Sequence, residues 1–176
     1  MELSTFYQCK PQDQSPHTIR QEVSTPFGSR DKTHICCFNL NSTRSFIRST
    51  YSGVFFRVPF DVIGLCEVHA GLDNIGHVST LCKYARNYAH CYFNVCSHNP
   101  TYSGTALFCY RRPCSVTFGF NQGLPMDFDG RIITARFKDA IIILIYAPSK
   151  IKDYLTFFGI LLKHIQIEKD LGLPIT

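Results

Sequence analysis

Apolar residues recur along the chain with two periods, which predict alternating strands and helices from residue 33 onward. Strand-like runs cover 34–39, 62–66, 91–95, 105–110, 115–118, 131–137 and 140–146. Helical spacing covers 46–55, 75–85 and 154–165, the last continuing to near Gly172 before a further apolar run, 173–176. The two-residue turn Lys138-Asp139 predicts that the last two strands form a hairpin. The pattern is typical of an α/β domain.

The first two strands and the helix between them predict a βαβ unit. The first strand ends at Asn39, and the second, 62–66, runs directly into Glu67. Because strands of such a unit are parallel neighbours, we expect Asn39 and Glu67 at the same sheet edge, with Ser42 in position to cap the helix. Ligands of layered α/β folds gather at such edges. A solvated acid without a role is the alternative for Glu67.

Composition divides the chain into a polar beginning and a domain with enough apolar residues for a core. Residues 1–32 are rich in Ser, Thr, Gln and Pro and predict a flexible leader, whereas 33–176 form the domain in a chain that is 45% hydrophobic overall. No run approaches the ~20 apolar residues of a membrane span. We therefore expect no membrane partner and an intracellular location, nuclear or cytoplasmic.

Charge and cysteine content narrow the function only slightly. A formal charge of +5 is compatible with a polyanionic partner, although many proteins without one carry as much. The nine cysteines are an odd number without a CxxC motif. They predict free thiols instead of a disulfide framework or a standard zinc site.

Five motifs resemble, in order and spacing, the exonuclease III type of apurinic/apyrimidinic (AP) endonuclease, in the endonuclease/exonuclease/phosphatase superfamily. The motifs are Cys37–Asn41, Leu65–Glu67, Tyr102–Phe108, Asp129–Ala135 and Ile145–Pro148. Each is weak alone, but together they cover most of 33–176. The resemblance implies a DNase I-like, four-layered α/β sandwich with flanking helices and a mixed sheet, of which this chain is expected to be the N-terminal half.

The resemblance also implies an activity and roles for individual residues. The activity is Mg²⁺-dependent incision of double-stranded DNA 5′ to abasic sites in base-excision repair, with 3′–5′ exonuclease activity as a further expectation. Glu67 and Asn39 are the implied metal ligands, for Mg²⁺ or alternatively Mn²⁺, and Tyr146 and Asn39 the implied catalytic residues. Tyr102 and Gly104 are implied to approach the DNA backbone, and Arg131 to support the strand beside the site.

Several positions depart from the family pattern. Phe38 and Asn41 stand where the family usually has tryptophan and aspartate. Further departures are Val68, His69 and Ser149. The Gly-Asp-x-Asn and Ser-Asp-His motifs, the second of which supplies the general base, have no counterpart. His69, His90 and His98 match no family position, so we expect them to be ordinary surface or core histidines.

These departures leave alternatives open. A chain without the second half is expected to leave an apolar sheet face exposed, and therefore to self-associate or to need a complementary C-terminal half. It is also expected to incise DNA poorly. The main alternative function is an inactive, truncated relic that binds nucleic acid or a partner chain. Another phosphoesterase of the same superfamily is a third, although Ser103-Gly104 and Gly130-Arg131 favour the DNA-repair branch by analogy.

Overall fold

Two sheets and four helices make up the part of the chain described by the computed structural model, residues 7–8, 33–70, 75–99 and 101–176. The strands of the first sheet are β1 (Tyr7–Gln8), β2 (Ile35–Asn39), β3 (Val62–Cys66), β4 (His90–Asn94) and β5 (Thr105–Cys109), in the order β1-β4-β5-β3-β2. The second sheet contains β6 (Ser115–Phe118), β7 (Ile132–Arg136) and β8 (Ile141–Ile145), in that order. The helices are α1 (Thr43–Arg48), α2 (Ser52–Phe55), α3 (Ile75–Tyr84) and α4 (Ile151–Lys169).

The strand pairing confirms the predicted βαβ unit and the hairpin. β2 and β3 are parallel, with Asn39 opposite Cys66, so Asn39 and Glu67 lie at the same edge. β7 and β8 pair antiparallel, and Phe137 N donates to Ala140 O across the predicted two-residue turn. β3 is antiparallel to β5, which makes the first sheet mixed.

The single helix predicted over 46–55 is wrong, because the segment forms two short helices. Ser49 leaves the helical conformation at ψ 155°, and both its backbone N–H and its hydroxyl donate to Phe46 O, which ends α1. The expected Ser42 cap is also absent, because Ser42 makes no side-chain capping hydrogen bond. Its backbone N–H donates to Glu67 O at 2.9 Å instead, which ties the start of α1 to the end of β3.

Three apolar cores separate four layers, as the predicted sandwich requires. The first core lies between the helices α1 to α3 and the outer face of the first sheet, and includes Phe46, Leu81 and Phe108. The second lies between the two sheets. The third joins the second sheet to α4 through Phe157 and Leu161. The result is a helix–sheet–sheet–helix sandwich.

The expectation of an exposed apolar sheet face is wrong. Ile133 and Leu107, on facing sheets, are 0% and 1% exposed, and Leu144 is 6% exposed. The reason is that β6 to β8 already form a second sheet that covers the inner face of the first, while α4 covers the outer face of the second. Self-association was expected because of an exposed apolar face, and that reason no longer applies. Self-association itself stays a prediction.

The remaining expectations concern the chain ends, the thiols and membranes. Apart from the short strand β1, the predicted leader lies outside the described residues. At the other end, Ile175 forms a parallel bridge with Ile141 of β8. None of the eight cysteines that the structure describes is in a disulfide bond. Within the described ranges, no helix combines the length and apolarity needed to cross a bilayer.

Candidate functional site

Glu67 lies at the edge where the two sheets meet, held by one residue from each sheet. Asn39, the last residue of β2, donates from Nδ2 to Glu67 Oε1 at 2.8 Å. Tyr146, directly after β8, donates its hydroxyl to the same oxygen at 2.7 Å. Three of the residues predicted from the sequence are therefore in direct contact, although 107 positions separate Asn39 from Tyr146. We call this group the Glu67 cluster.

The backbone around Glu67 is bent into an unusual conformation and fixed by a neighbouring turn. Glu67 has φ 53° and His69 φ 46°, values in the left-handed region that non-glycine residues seldom adopt. Two hydrogen bonds hold this bend: Val68 N donates to Gly104 O, and His69 N donates to Ser103 O, each at 3.1 Å. Gly104 itself has φ 84°, which explains why glycine stands there. Local strain held by surrounding structure is common at functional sites.

The environment of the cluster shifts the pKa values of its two acidic groups, Glu67 and Tyr146, in opposite directions. Donation from Asn39, and then from Tyr146, lowers the pKa of the Glu67 carboxyl. Burial, and then the hydrogen bond to Glu67, raises the pKa of the Tyr146 hydroxyl to about 12. At neutral pH the cluster therefore presents an ionised carboxylate and a protonated phenol that donates to it.

Arg131 is buried behind the cluster and links three other groups. It is 4% exposed, and its Nε donates to Asp129 Oδ2 at 2.9 Å. Its Nη1 donates to the carbonyl of Tyr146 at 3.2 Å, and its Nη2 to the hydroxyl of Tyr102 at 2.7 Å. The guanidinium carbon also lies 5.0 Å from the Tyr146 ring centroid and 5.4 Å from that of Tyr102. This geometry favours a positioning role for Arg131 over direct contact with a phosphate.

Asp127, in the loop before β7, organises the site from outside the Glu67 cluster, and no sequence motif discussed above singles it out. Its Oδ2 accepts hydrogen bonds from Arg131 N at 2.7 Å, Ile132 N at 2.9 Å and Asn94 Nδ2 at 3.2 Å. Burial raises the pKa of this carboxyl, partly offset by the two backbone donors. Asp127 therefore fixes the start of β7 beside β4. The sequence feature that could have indicated this role is Asp-x-Asp-Gly directly before a strand, because such a pattern favours a tight turn held by carboxylates.

The donor set at Glu67 fits a weakly held Mg²⁺ ion. Both hydrogen bonds to the carboxylate fall on Oε1, and no donor within the described residues bonds to Oε2, which leaves that oxygen available to a cation. A single carboxylate oxygen is a hard ligand of the kind that Mg²⁺ takes while keeping most of its water. In contrast, Asn39 Oδ1 accepts from Asn41 N at 2.9 Å, so the amide is oriented to position Glu67. Asn39 as a ligand stays a prediction.

Comparisons of sequence and of overall fold show which known proteins the chain resembles. No protein-family model matches the chain. Over 62 residues the chain is 36% identical to the DNA repair nuclease APEX1 of Danio rerio. The aligned segment covers 35% of this chain and 20% of that protein. The 3′–5′ exonuclease NExo from Neisseria meningitidis matches with a TM-score of 0.61 and 23% identity over 78% of this chain. An AP endonuclease from Archaeoglobus fulgidus matches with a TM-score of 0.59 and 22% identity over 77%.

The chain has the fold of the exonuclease III-type AP endonucleases. The resemblance drawn from the five motifs is thereby confirmed, as is the predicted DNase I-like α/β architecture. A NExo variant, described as a 3′ phosphatase bound to a product DNA hairpin, has a TM-score of 0.62, 23% identity and 79% coverage of this chain. The chain spans about half of each solved structure, 53% of the two NExo structures and 51% of the Archaeoglobus structure.

Within this AP endonuclease-like fold, the residues predicted from the sequence gather at one sheet edge. Glu67, Asn39 and Tyr146 touch one another, and Arg131 joins Tyr146 to Tyr102. Gly104 lies in the turn that bonds to the residue after Glu67. Their catalytic, metal-binding and substrate-binding roles stay predictions that this proximity motivates.

Proposed function

We propose that this chain provides the Glu67 edge of a Mg²⁺-dependent phosphodiesterase that acts on double-stranded DNA. The proposed reaction is incision 5′ to an abasic site in base-excision repair, with 3′–5′ exonuclease activity as a second reaction, in the nucleus or the cytoplasm. The Glu67 cluster is the observation that carries the proposal, because it joins both sheets at one edge. The descriptions of APEX1 as a DNA repair nuclease and of the Archaeoglobus protein as an AP endonuclease support the substrate class.

Each residue of the site then has a physical task. Glu67 would hold the ion through Oε2, and a bound Mg²⁺ supplies charge neutralisation at the phosphate. Asn39 keeps the carboxylate ionised and oriented. The Tyr146 hydroxyl, protonated at neutral pH, would donate its one hydrogen to a phosphate oxygen on releasing Glu67 Oε1. Tyr102 and the Gly104 turn are the proposed contacts for the DNA backbone, while Arg131 holds the two tyrosines in place.

Neither acidic group of the Glu67 cluster suits the role of general base. The lowered pKa of Glu67 makes its carboxylate a weak proton acceptor, and Tyr146 is protonated at neutral pH. Within the described residues, Glu67 does not belong to a group of three or more His, Cys, Asp or Glu side chains close enough to share an ion. The group that does meet this condition is Cys96, His98 and Asp129. We therefore expect weak cation binding at Glu67 and little incision by residues 1–176 alone.

An inactive protein that binds nucleic acid or a partner chain is the second candidate. Asn41, exposed beside Asn39, offers an amide where the family pattern has an acid, which reduces the negative charge available to a cation. A relic of this kind would bind DNA equally well with and without the Glu67 carboxylate. An active enzyme would lose cleavage when the carboxylate is removed.

A nicking assay on an abasic-site duplex, together with Mn²⁺ relaxation titrations, tests both candidates. The comparison uses the wild type, Glu67→Gln, Tyr146→Phe and the control Asp139→Asn, which removes an exposed carboxylate at the opposite end of β8. We expect weak Mn²⁺ binding that Glu67→Gln abolishes and the control preserves. Equal Mn²⁺ binding by wild type and Glu67→Gln would overturn the assignment of Glu67. Robust cleavage that disappears in Glu67→Gln would establish the enzyme and refute the expectation of little incision.

A further inference from the structure

Two loops outside the Glu67 cluster bring a thiol, an imidazole and a carboxylate together. Cys96 Sγ lies 3.8 Å from His98 Nε2, and His98 Nε2 lies 3.6 Å from Asp129 Oδ1. The three ligand atoms all lie within 4.8 Å of one another. A tetrahedral zinc ion with bonds of about 2.0 to 2.3 Å needs ligand atoms separated by roughly 3.3 to 3.6 Å. These two separations are only slightly wider than those around a bound ion, and the Cys96 and Asp129 ligand atoms lie within 4.8 Å of each other.

We propose that Cys96, His98 and Asp129 bind a zinc-type divalent cation at a site separate from Glu67. Sulfur, nitrogen and carboxylate oxygen form a donor set that Zn²⁺ takes and Mg²⁺ does not. Binding releases the thiol proton to solvent, since the ligand is the thiolate. Three protein ligands leave the fourth tetrahedral position to water, which can reach the site because the His98 side chain is 59% exposed and that of Asp129 32% exposed.

The surrounding backbone holds the three side chains in position. Ser97, between the two ligands of the first loop, donates from both its backbone N–H and its hydroxyl to Phe128 O, at 2.9 and 3.2 Å. A Cβ on Gly130 would lie 2.5 Å from Asn94 O, so the two loops are in close backbone contact. The backbone of the two loops is therefore fixed, and ion binding requires the exposed His98 ring, whose two nitrogens both lie 3.8 Å from Cys96 Sγ, to turn one nitrogen toward the ion.

Asp129 connects this site to the buried arginine behind the Glu67 cluster. Its Oδ1 faces His98, whereas its Oδ2 accepts the hydrogen bond from Arg131 Nε. The carboxylate can therefore ligate a cation through one oxygen and keep Arg131 through the other. A bound zinc ion would lie one side chain away from the guanidinium that supports Tyr102 and Tyr146.

Zinc titration of the reduced chain, by competition with a chromophoric chelator, tests the site. We expect one equivalent of Zn²⁺ to bind and excess Mg²⁺ not to displace it. Cys96→Ser and His98→Gln should each weaken zinc binding by about 10- to 100-fold or more. Substitution of residues that only hydrogen-bond to metal ligands already weakens metal binding by about this range, and these two residues are proposed as ligands themselves. Cys114→Ser, at an exposed thiol elsewhere, and Cys37→Ser, whose thiol interacts with that of Cys66, are the matched controls.

Co²⁺ substitution gives an independent readout of the thiolate ligand. A sulfur-to-metal charge-transfer band should appear with the wild type and be absent with Cys96→Ser. Because His98 is exposed, His98→Gln tests the site even if Cys96→Ser fails to fold. Wild-type zinc affinity in both ligand variants, or a loss that occurs instead in either control, would overturn the proposal. Glu67→Gln should bind zinc normally, so failure of the nuclease proposal would leave this result unaffected.

Discussion

Replacing Gly64 with alanine should destabilise the fold, because Gly64 in β3 of the first sheet packs directly against Leu144 in β8 of the second. A Cβ at this position would lie 2.6 Å from Leu144 Cδ1, so the end of the buried Leu144 side chain would have to shift within the packed core. Overpacking of a core costs about 1–3 kcal/mol, whereas alanine gains about 0.5–1 kcal/mol over glycine in a strand. The expected net loss is roughly 0–2.5 kcal/mol with a middle value of about 1 kcal/mol, which corresponds to a fall in Tm of roughly 2–4 °C for a chain of this size.

Urea and thermal unfolding followed by circular dichroism would measure this loss against two references. Gly159→Ala makes the same chemical change on an exposed part of α4 with nothing within 4 Å, and should stabilise by about 1 kcal/mol. Leu144→Ala removes the clashing methyl group, so Gly64→Ala should cost less in that background than in the wild type. Equal effects of the two glycine substitutions, or an undiminished cost beside Leu144→Ala, would refute the close sheet contact.

Three further predictions address the buried polar groups. Arg131→Lys should lower the free energy of unfolding by about 2–3 kcal/mol, because a lysine ammonium cannot make all the hydrogen bonds that the planar guanidinium makes to Asp129, Tyr146 and Tyr102. Chemical unfolding measures this loss, and an unchanged free energy of unfolding would contradict the positioning role. Glu168→Gln should cost about 2–3 kcal/mol in the same assay, below the roughly 3–5 kcal/mol of a fully buried pair, because it leaves the half-buried Arg136 without its charged partner. A smaller cost than for an exposed acid would contradict the pairing. His164 accepts from Asn121 N through Nδ1, and burial lowers its pKa, so the unfolded chain binds more protons. The contribution of His164 to stability should therefore be complete above about pH 6.5 and be lost as the pH falls below it. The free energy of unfolding should then depend less steeply on pH in His164→Asn than in the wild type. Equal pH dependence of the two would contradict the prediction.

Elements with a clear apolar period were predictable from the sequence. β3 is apolar throughout, and α4 repeats its apolar residues at helical spacing, so both formed where expected. The β7–β8 hairpin followed from two apolar runs joined by two polar residues. The division of α1 from α2 was not predictable in this way, because Ser49 ends the first helix through local hydrogen bonds that leave the apolar spacing unchanged.

The candidate site was predictable from the strand pattern in part and from the family resemblance in part. The βαβ pattern placed Asn39 and Glu67 at one sheet edge, Tyr146 came from the resemblance, and the structure brings the three into contact. The contact between His98 and Asp129 joins loops 31 positions apart, and no spacing rule connects such residues. The burial of the inner sheet face was misjudged for a related reason. Sequence patterns show which residues are apolar, but not that three strands and one helix suffice to cover them.

The hydrogen bonds between loops also determine how the site edge moves over time. Ser42, Val68, His69 and Gly104 each donate a backbone N–H to a carbonyl of a different loop. A loop whose amide is held by its neighbour cannot open without releasing that neighbour. Their amide hydrogens should therefore exchange with solvent in one cooperative step, as a small folding unit does. The edge that holds Glu67 would open as a whole, on a time scale that a substitution in any one of these loops changes for all of them.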